Sequence, residues 1–167
     1  MGRAGKKHPQ RQQSGGGRKR LGPATAPTKA KTVGAAGAAP EPIDDKPFRW
    51  SAGALDHGFE GEWDWSLRGR EALNLLSVLE GMGQLTWREV KALETHSEHK
   101  THRLHHSQPV ESICASAQRR LDDLELQLTE VFRLRHGNML RIWGYVQGAV
   151  FYILWFDRNH RVCPSDN

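Results

Sequence analysis

Val131-Phe132-Arg133-Leu134-Arg135-His136-Gly137-Asn138-Met139-Leu140-Arg141-Ile142-Trp143-Gly144-Tyr145-Val146-Gln147-Gly148-Ala149-Val150-Phe151-Tyr152-Ile153-Leu154-Trp155-Phe156 is the stretch that decides how this chain folds. It is rich in β-branched and aromatic residues. Two short Gly-containing segments interrupt it, His136-Gly137-Asn138 and Gln147-Gly148, of the length antiparallel hairpins use. Three strands are expected: Val131 to Arg135, Met139 to Val146 and Ala149 to Phe156. With those turns Arg135 faces Met139, Arg133 faces Arg141, Val146 faces Ala149 and Trp143 faces Tyr152. Side chains alternate between faces along a strand, and directly opposed residues share one. One face then collects Phe132, Leu134, Leu140, Ile142, Val146, Phe151, Ile153 and Trp155, and needs helices against it. The other collects Arg133, Arg135, Arg141, Trp143, Tyr145 and Tyr152. A one-residue slip in the first loop would mix arginines with leucine and isoleucine, so the hydrophobic pattern selects this register. The arginine face reads in two ways. It is either a solvated sheet surface or a nucleic-acid platform, with guanidinium groups on phosphates and rings on bases.

Upstream of the meander, Phe48 to Ala52 is expected as a first strand. From Leu67 to Met82 the residues Ala72, Leu75, Leu76, Leu79 and Met82 follow helical spacing behind Ser66 as an N-cap, and Gly81 and Gly83 should stop the helix. Thr86-Trp87-Arg88-Glu89 fits a capping box for a short second helix with Trp87, Val90 and Leu93 on one side. A third helix, from about Ser112 to Leu126, should bury Ile113, Ala117, Leu121 and Leu124. Together these elements make an α+β fold, with helices packed on one face of a small antiparallel sheet.

Charge divides the chain. Residues 1–46 carry ten Lys or Arg against Glu41, Asp44 and Asp45, a net of +7, whereas residues 47–167 hold 14 basic and 16 acidic residues, a net of −2. The basic character therefore belongs to the first 46 residues and not to the folded domain, 47–167. Gly2 to Ala39 has too few large apolar groups to offset the entropy of ordering, so this tail is expected to be disordered. Its runs Lys6-Lys7 and Arg18-Lys19-Arg20 can hold phosphates without sequence preference, or serve only solubility. No apolar run resembles a signal peptide or a membrane span. Cys114 and Cys163 form no framework spacing and no CxxC, which suits a reducing cytoplasm.

Histidines 96, 99 and 102 are three apart and have the chemistry of metal ligands, but Lys100 and Arg103 would repel a cation, so a polar connection is the plainer expectation and no metal is assigned. His105 and His106 can face the arginine surface as acid, base or phosphate donor. Glu111, Asp122, Asp123, Glu125 and Glu130 read as a solvated helix side. No Walker loop, dinucleotide fingerprint, GxSxG elbow or HExxH is present, so nucleotide hydrolysis, dehydrogenation and serine hydrolysis are poor candidates and no cofactor is expected.

The order strand, helices, then a meander carrying Arg-x-Arg and ending in Asp157-x-x-His160-Arg161 resembles the RelE/ParE superfamily of bacterial toxins, over residues 48 to 164. The specific part is Phe132 to Gly137, Leu140-Arg141-Ile142, Val150 to Phe156 and His160-Arg161-Val162. Arg141 to Gly144 with Phe151 to Asp157, His160 and Pro164 is also similar to a type of bacterial and phage protein that carries no assigned activity. The toxin resemblance implies a toxin-antitoxin system, with RNA or the ribosome as target and a small antitoxin as partner. It also implies a ribosome-dependent endoribonuclease in which the 2′-hydroxyl of mRNA attacks the adjacent phosphate. Arg133 and Arg135 would clamp phosphate, Arg141 with His160 or Arg161 would serve catalysis, and Trp143 and Tyr152, beside Tyr145, would stack a base. One position departs from the pattern: Cys163-Pro164 stands where RelE-type nucleases often carry a tyrosine. The other reading is a noncatalytic module of the same fold that binds nucleic acid or protein, as gyrase-inhibiting relatives or a phage regulator would.

Overall fold

The computed structural model describes residues 1–2, 42–97 and 100–164. The expectation of a disordered tail lies outside the described residues. The chain divides into two units, Met1–Val33 and Gly34–Asn167. The elements of the second are β1 (Arg49–Ser51), α1 (Gly69–Gly83), α2 (Trp87–Ala92), β2 (Glu94–Ser97), β3 (Lys100–Arg103), β4 (His106–Pro109), a short 3-10 turn (Val110–Ser112), α3 (Ala115–Asp123), β5 (Glu130–His136), β6 (Leu140–Gln147) and β7 (Val150–Asp157). Five strands form one sheet in the order β1-β7-β6-β5-β4, and β2 and β3 form a separate ribbon. The sheet is antiparallel except that β1 runs parallel to β7. No described helix is long and apolar enough to cross a membrane.

Both meander turns sit one residue later than expected. Gly148 and Ala149 form the second turn and Gly137 to Met139 the first, with Gly137 and Gly148 both at φ +61°, a left-handed conformation that glycine adopts without penalty. Arg135 therefore pairs with Arg141 and Leu134 with Ile142. On the other side of β6, Tyr145 pairs with Tyr152 and Val146 with Phe151. Each register differs from the expected one by two residues, an even number. The sorting of side chains into two faces consequently survives.

One residue breaks that sorting. Gly144 pairs with Ile153 but Trp143 pairs with Trp155, so Leu154 is an extra residue, a β-bulge in β7. Beyond the bulge the alternation is inverted, and Trp155, expected on the apolar face, lies on the arginine face instead, where it packs with Trp143 and Trp63. At Gly144 the neighbouring strand leaves no room for a side chain. A Cβ there would overlap the carbonyl oxygen of Tyr152 and the ring of Phe151.

The helices do not share one face of the sheet. α1 and α2 cover the apolar side, where Leu75, Leu79, Trp87 and Val90 meet Phe48, Phe132, Leu134, Ile142, Phe151, Ile153 and Phe156. α3 covers the opposite side, where Ala117 and Leu121 pack with Ile113, Val131, Trp143, Leu154, Trp155 and Val162. Amphipathic spacing reports that a helix buries one stripe, not which side of a sheet receives it. Two cores around one sheet bury Trp87, Trp143 and Trp155 completely. Each large apolar side chain so buried contributes roughly 2–3 kcal/mol.

Local chemistry sets the ends. Thr86 caps α2 as expected, with its backbone N–H donating to Glu89 Oε2 at 2.7 Å and Glu89 N–H donating to Thr86 Oγ1 at 3.3 Å. α1 starts after Arg68 rather than Ser66, because Asp64 accepts the Ser66 N–H and Glu71 accepts that of Arg68. The fold also takes in residues before Pro47: Ile43 packs on the core, and Asp44 and Asp45 pair with Lys91 and Arg88.

Candidate functional site

β5 and β6 raise three guanidinium groups on the α3 side of the sheet. Arg135 lies directly opposite Arg141, Arg133 lies opposite Trp143, and β4 brings His106 opposite Arg133. Like charges opposed across a ladder repel. Arg141 is only 4% exposed. Burial first, then Arg133 and Arg135, lowers its pKa to about 10, against a weaker opposite effect of Asp157. Arg133 is likewise lowered by burial and by Arg135, opposed by Cys163.

A buried cation normally acquires a carboxylate. Among the described residues, none of these three arginines has an acid within 4.0 Å. Arg141 donates from Nη1 to the carbonyl of its neighbour Leu140, and Arg135 from Nε to Gly137 O. The Nε atoms of Arg133 and Arg141 are buried without a partner. Asp157, opposite Arg141 in register, is fully engaged elsewhere. Its Oδ1 accepts the N–H of Asn159 and Arg161, and its Oδ2 that of Val162 and the indole of Trp143.

Those bonds shape the loop after β7. Asp157 folds it back, and His160 is held at φ +57° with Nε2 3.1 Å from Arg133 Nη1. Arginine can only donate, so His160 Nε2 accepts and its proton sits on Nδ1. Burial and the nearby Arg141 and Arg133 disfavour the charged ring, against Asp157. His105 is 2% exposed and accepts the backbone N–H of Arg135 through Nδ1. Its pKa falls to about 4, from burial and then from His106 and Arg133. His106 is half-buried, its Nδ1 has no partner, and burial and Arg133 hold it towards the neutral form, against a backbone hydrogen bond with Arg103.

Arg133, Arg135, Arg141, His105, His106 and His160 thus converge. The remaining expected residues do not join them. Trp143 is wholly buried between α3 and the sheet and presents no ring to a base. Tyr145 and Tyr152 stack on each other, centroids 5.2 Å apart, beyond Trp143 from the arginines. Burial and Tyr152 raise the Tyr145 phenol. Arg161 turns outward to Glu62 at 3.4 Å. Gln108, two residues along β4 from His106, joins the cluster although no sequence pattern marks it, because residues 96–106 read as a connection conceal the strand that carries it. Its Nε2 donates to Cys163 Sγ at 3.4 Å, and its Oε1 is buried without a partner.

That histidine-rich connection is instead the β2–β3 ribbon, with Thr95 opposite His102 and His96 opposite Thr101. Residues 98–99, including His99, lie outside the described residues. A cavity of about 610 Å³ opens on the opposite side of the sheet, lined by Ile43, Lys91, Ser107, Phe132 and Val146 among others, and shares no lining residue with the arginine cluster. Its lining carries Asp44 and Glu130 beside Lys46 and Lys91, so no excess of positive charge marks it for an anion. The arginine cluster carries such an excess: two partly or wholly buried guanidinium groups lacking acids can hold a phosphate and stabilise charge developing on it. No family model matches the chain, and no curated protein or solved structure does either.

Proposed function

We propose that this domain binds RNA through the arginine face and, like the RelE-type toxins it resembles in sequence, acts on it as an endoribonuclease. The observation that carries the reading is the pair Arg133 and Arg141, with buried Nε–H groups and no described acid within 4.0 Å. A phosphodiester supplies what they lack. In the proposed reaction the 2′-oxygen attacks the adjacent phosphorus, the bond to the 5′-oxygen breaks, and a 2′,3′-cyclic phosphate and a 5′-hydroxyl result. Arg133 and Arg141 stabilise the extra charge on the phosphorus oxygens. The neutral rings of His106 and His160 suit proton transfer. Arg161, engaged with Glu62, is left out of the scheme.

Burial favours a second reading as well. With Trp143 closed off and Arg141 at 4% exposure, no open aromatic ring among the described residues accompanies the arginines, as suits a module that grips phosphate without cutting. Mapping of mRNA 5′ ends after brief expression of wild type and Arg141→Ala separates the two. New ends in wild type alone, with growth arrest relieved by the substitution, support cleavage. Intact mRNA and unaffected growth, alongside salt-sensitive RNA binding in vitro, leave the noncatalytic module.

A further inference from the structure

Of the five buried side-chain nitrogen or oxygen atoms without partners among the described residues, four lie on the arginine face: Arg133 Nε, Arg141 Nε, His106 Nδ1 and Gln108 Oε1. Their chemistry is not uniform, and that is informative. The two guanidinium N–H groups require acceptors. Gln108 Oε1 requires a donor, and so does His106 Nδ1 in the neutral ring, because the hydrogen bond to the Arg103 backbone uses the proton on Nε2. The amide of Gln108 is oriented by its neighbours, since Cys163 Sγ donates towards Ser112 O and accepts from Gln108 Nε2, which turns Oε1 away from the thiol. A phosphodiester group alone, which carries no hydroxyl, would satisfy the arginines and leave Gln108 with nothing to accept.

We infer that the site takes a phosphate with a hydroxyl donor beside it, and that Gln108 Oε1, flanked by His106, reads the ribose 2′-hydroxyl of RNA. Register brings these groups together, because His106 and Gln108 point the same way from β4 and His106 stands opposite Arg133. The 2′-hydroxyl is the group that distinguishes RNA from DNA at a given phosphate. The inference rests on the RNA-binding reading and extends it from phosphate recognition to selection of the sugar. It requires no cleavage.

The test is fluorescence anisotropy of the full chain with short single strands of one sequence made as RNA, 2′-fluoro RNA, 2′-O-methyl RNA and DNA. Fluorine keeps the sugar pucker close to that of RNA but cannot donate, and a 2′-O-methyl group cannot donate either, so all three should bind about tenfold more weakly than RNA. Gln108→Met should bring RNA affinity down to that of DNA and leave DNA affinity unchanged. Equal binding of RNA and 2′-fluoro RNA by wild type overturns the sugar reading and leaves phosphate recognition standing. Absence of binding to all four strands removes the RNA-binding reading itself. The wild-type series decides the matter even if Gln108→Met does not fold.

Discussion

The Nδ1 of His105 accepts the backbone N–H of Arg135 at 3.1 Å inside the fold, which fixes the ring as neutral with its proton on Nε2. β5 carries two of the three clustered arginines, so a buried imidazole anchors the strand beneath them.

Stability should consequently fall on acidification. The folded pKa of His105 lies near 4, below the ordinary 6.5, so the unfolded chain takes up a proton that the native state refuses. The contribution is complete above pH 6.5 and is lost as pH falls towards 4, amounting to roughly 3 kcal/mol. His106 and His160 are shifted the same way and add to the slope. His105→Asn keeps an acceptor near Nδ1 and does not titrate, so urea midpoints between neutral pH and pH 4 should change less than in wild type. Parallel profiles for the two proteins would rule out His105 as the source.

Arg141→Met should make the fold more stable and the site inactive. Replacing a buried charge that has no acid partner by an apolar side chain of similar length removes a desolvation cost, a gain on the order of 1–4 kcal/mol. Thermal melting and RNA binding measured on the same preparation should move in opposite directions. A lower melting temperature would mean that the guanidinium holds the fold and is not reserved for a ligand.

Gly144→Ala should be among the most damaging single changes in the domain. The added methyl meets the Tyr152 carbonyl at the bulge, where neither strand can retreat without opening the ladder. A loss of about 3 kcal/mol or more is expected in chemical denaturation. Gly148→Ala, with open space around it but a left-handed φ, should cost only about 1 kcal/mol.

Asp157→Asn leaves one oxygen to accept four N–H donors and turns an amide NH₂ towards some of them. Loss of about 3 kcal/mol is expected from these charge-assisted bonds. Hydrogen exchange at the amides of Arg161 and Val162 should quicken more than in β5. Unchanged exchange there would show that the loop is held by packing alone.

Much of this arrangement is legible in residue order, for a definite reason. Turn chemistry alone puts both turns one residue early, yet each pairing then shifts by two, and alternation depends only on whether the shift is odd or even. Arg133, Arg135 and Arg141 therefore stay together. Trp155 does not keep its place, because an extra residue at Leu154 inverts alternation without any local mark of its own. The β2–β3 ribbon escapes a reading of residue order since its polar strands show no apolar alternation, and with it go β4 and the role of Gln108. Trp143 reads as an open ring because nothing in helical spacing places α3 over the arginine side.

The bulge at Leu154 has an evolutionary consequence. It makes β7 a strand whose two halves obey opposite rules, so the substitutions tolerated at Tyr152 and at Trp155 should differ even though the two lie three apart in one strand. Deleting Leu154 would remove the bulge and still leave Trp155 opposite Trp143 and Asp157 opposite Arg141, so losing the extra residue does not exchange inside for outside. Relatives of this domain should therefore gain or lose a residue of β7 at the bulge more readily than in the regular pairing before it, where a change in number would exchange inside for outside.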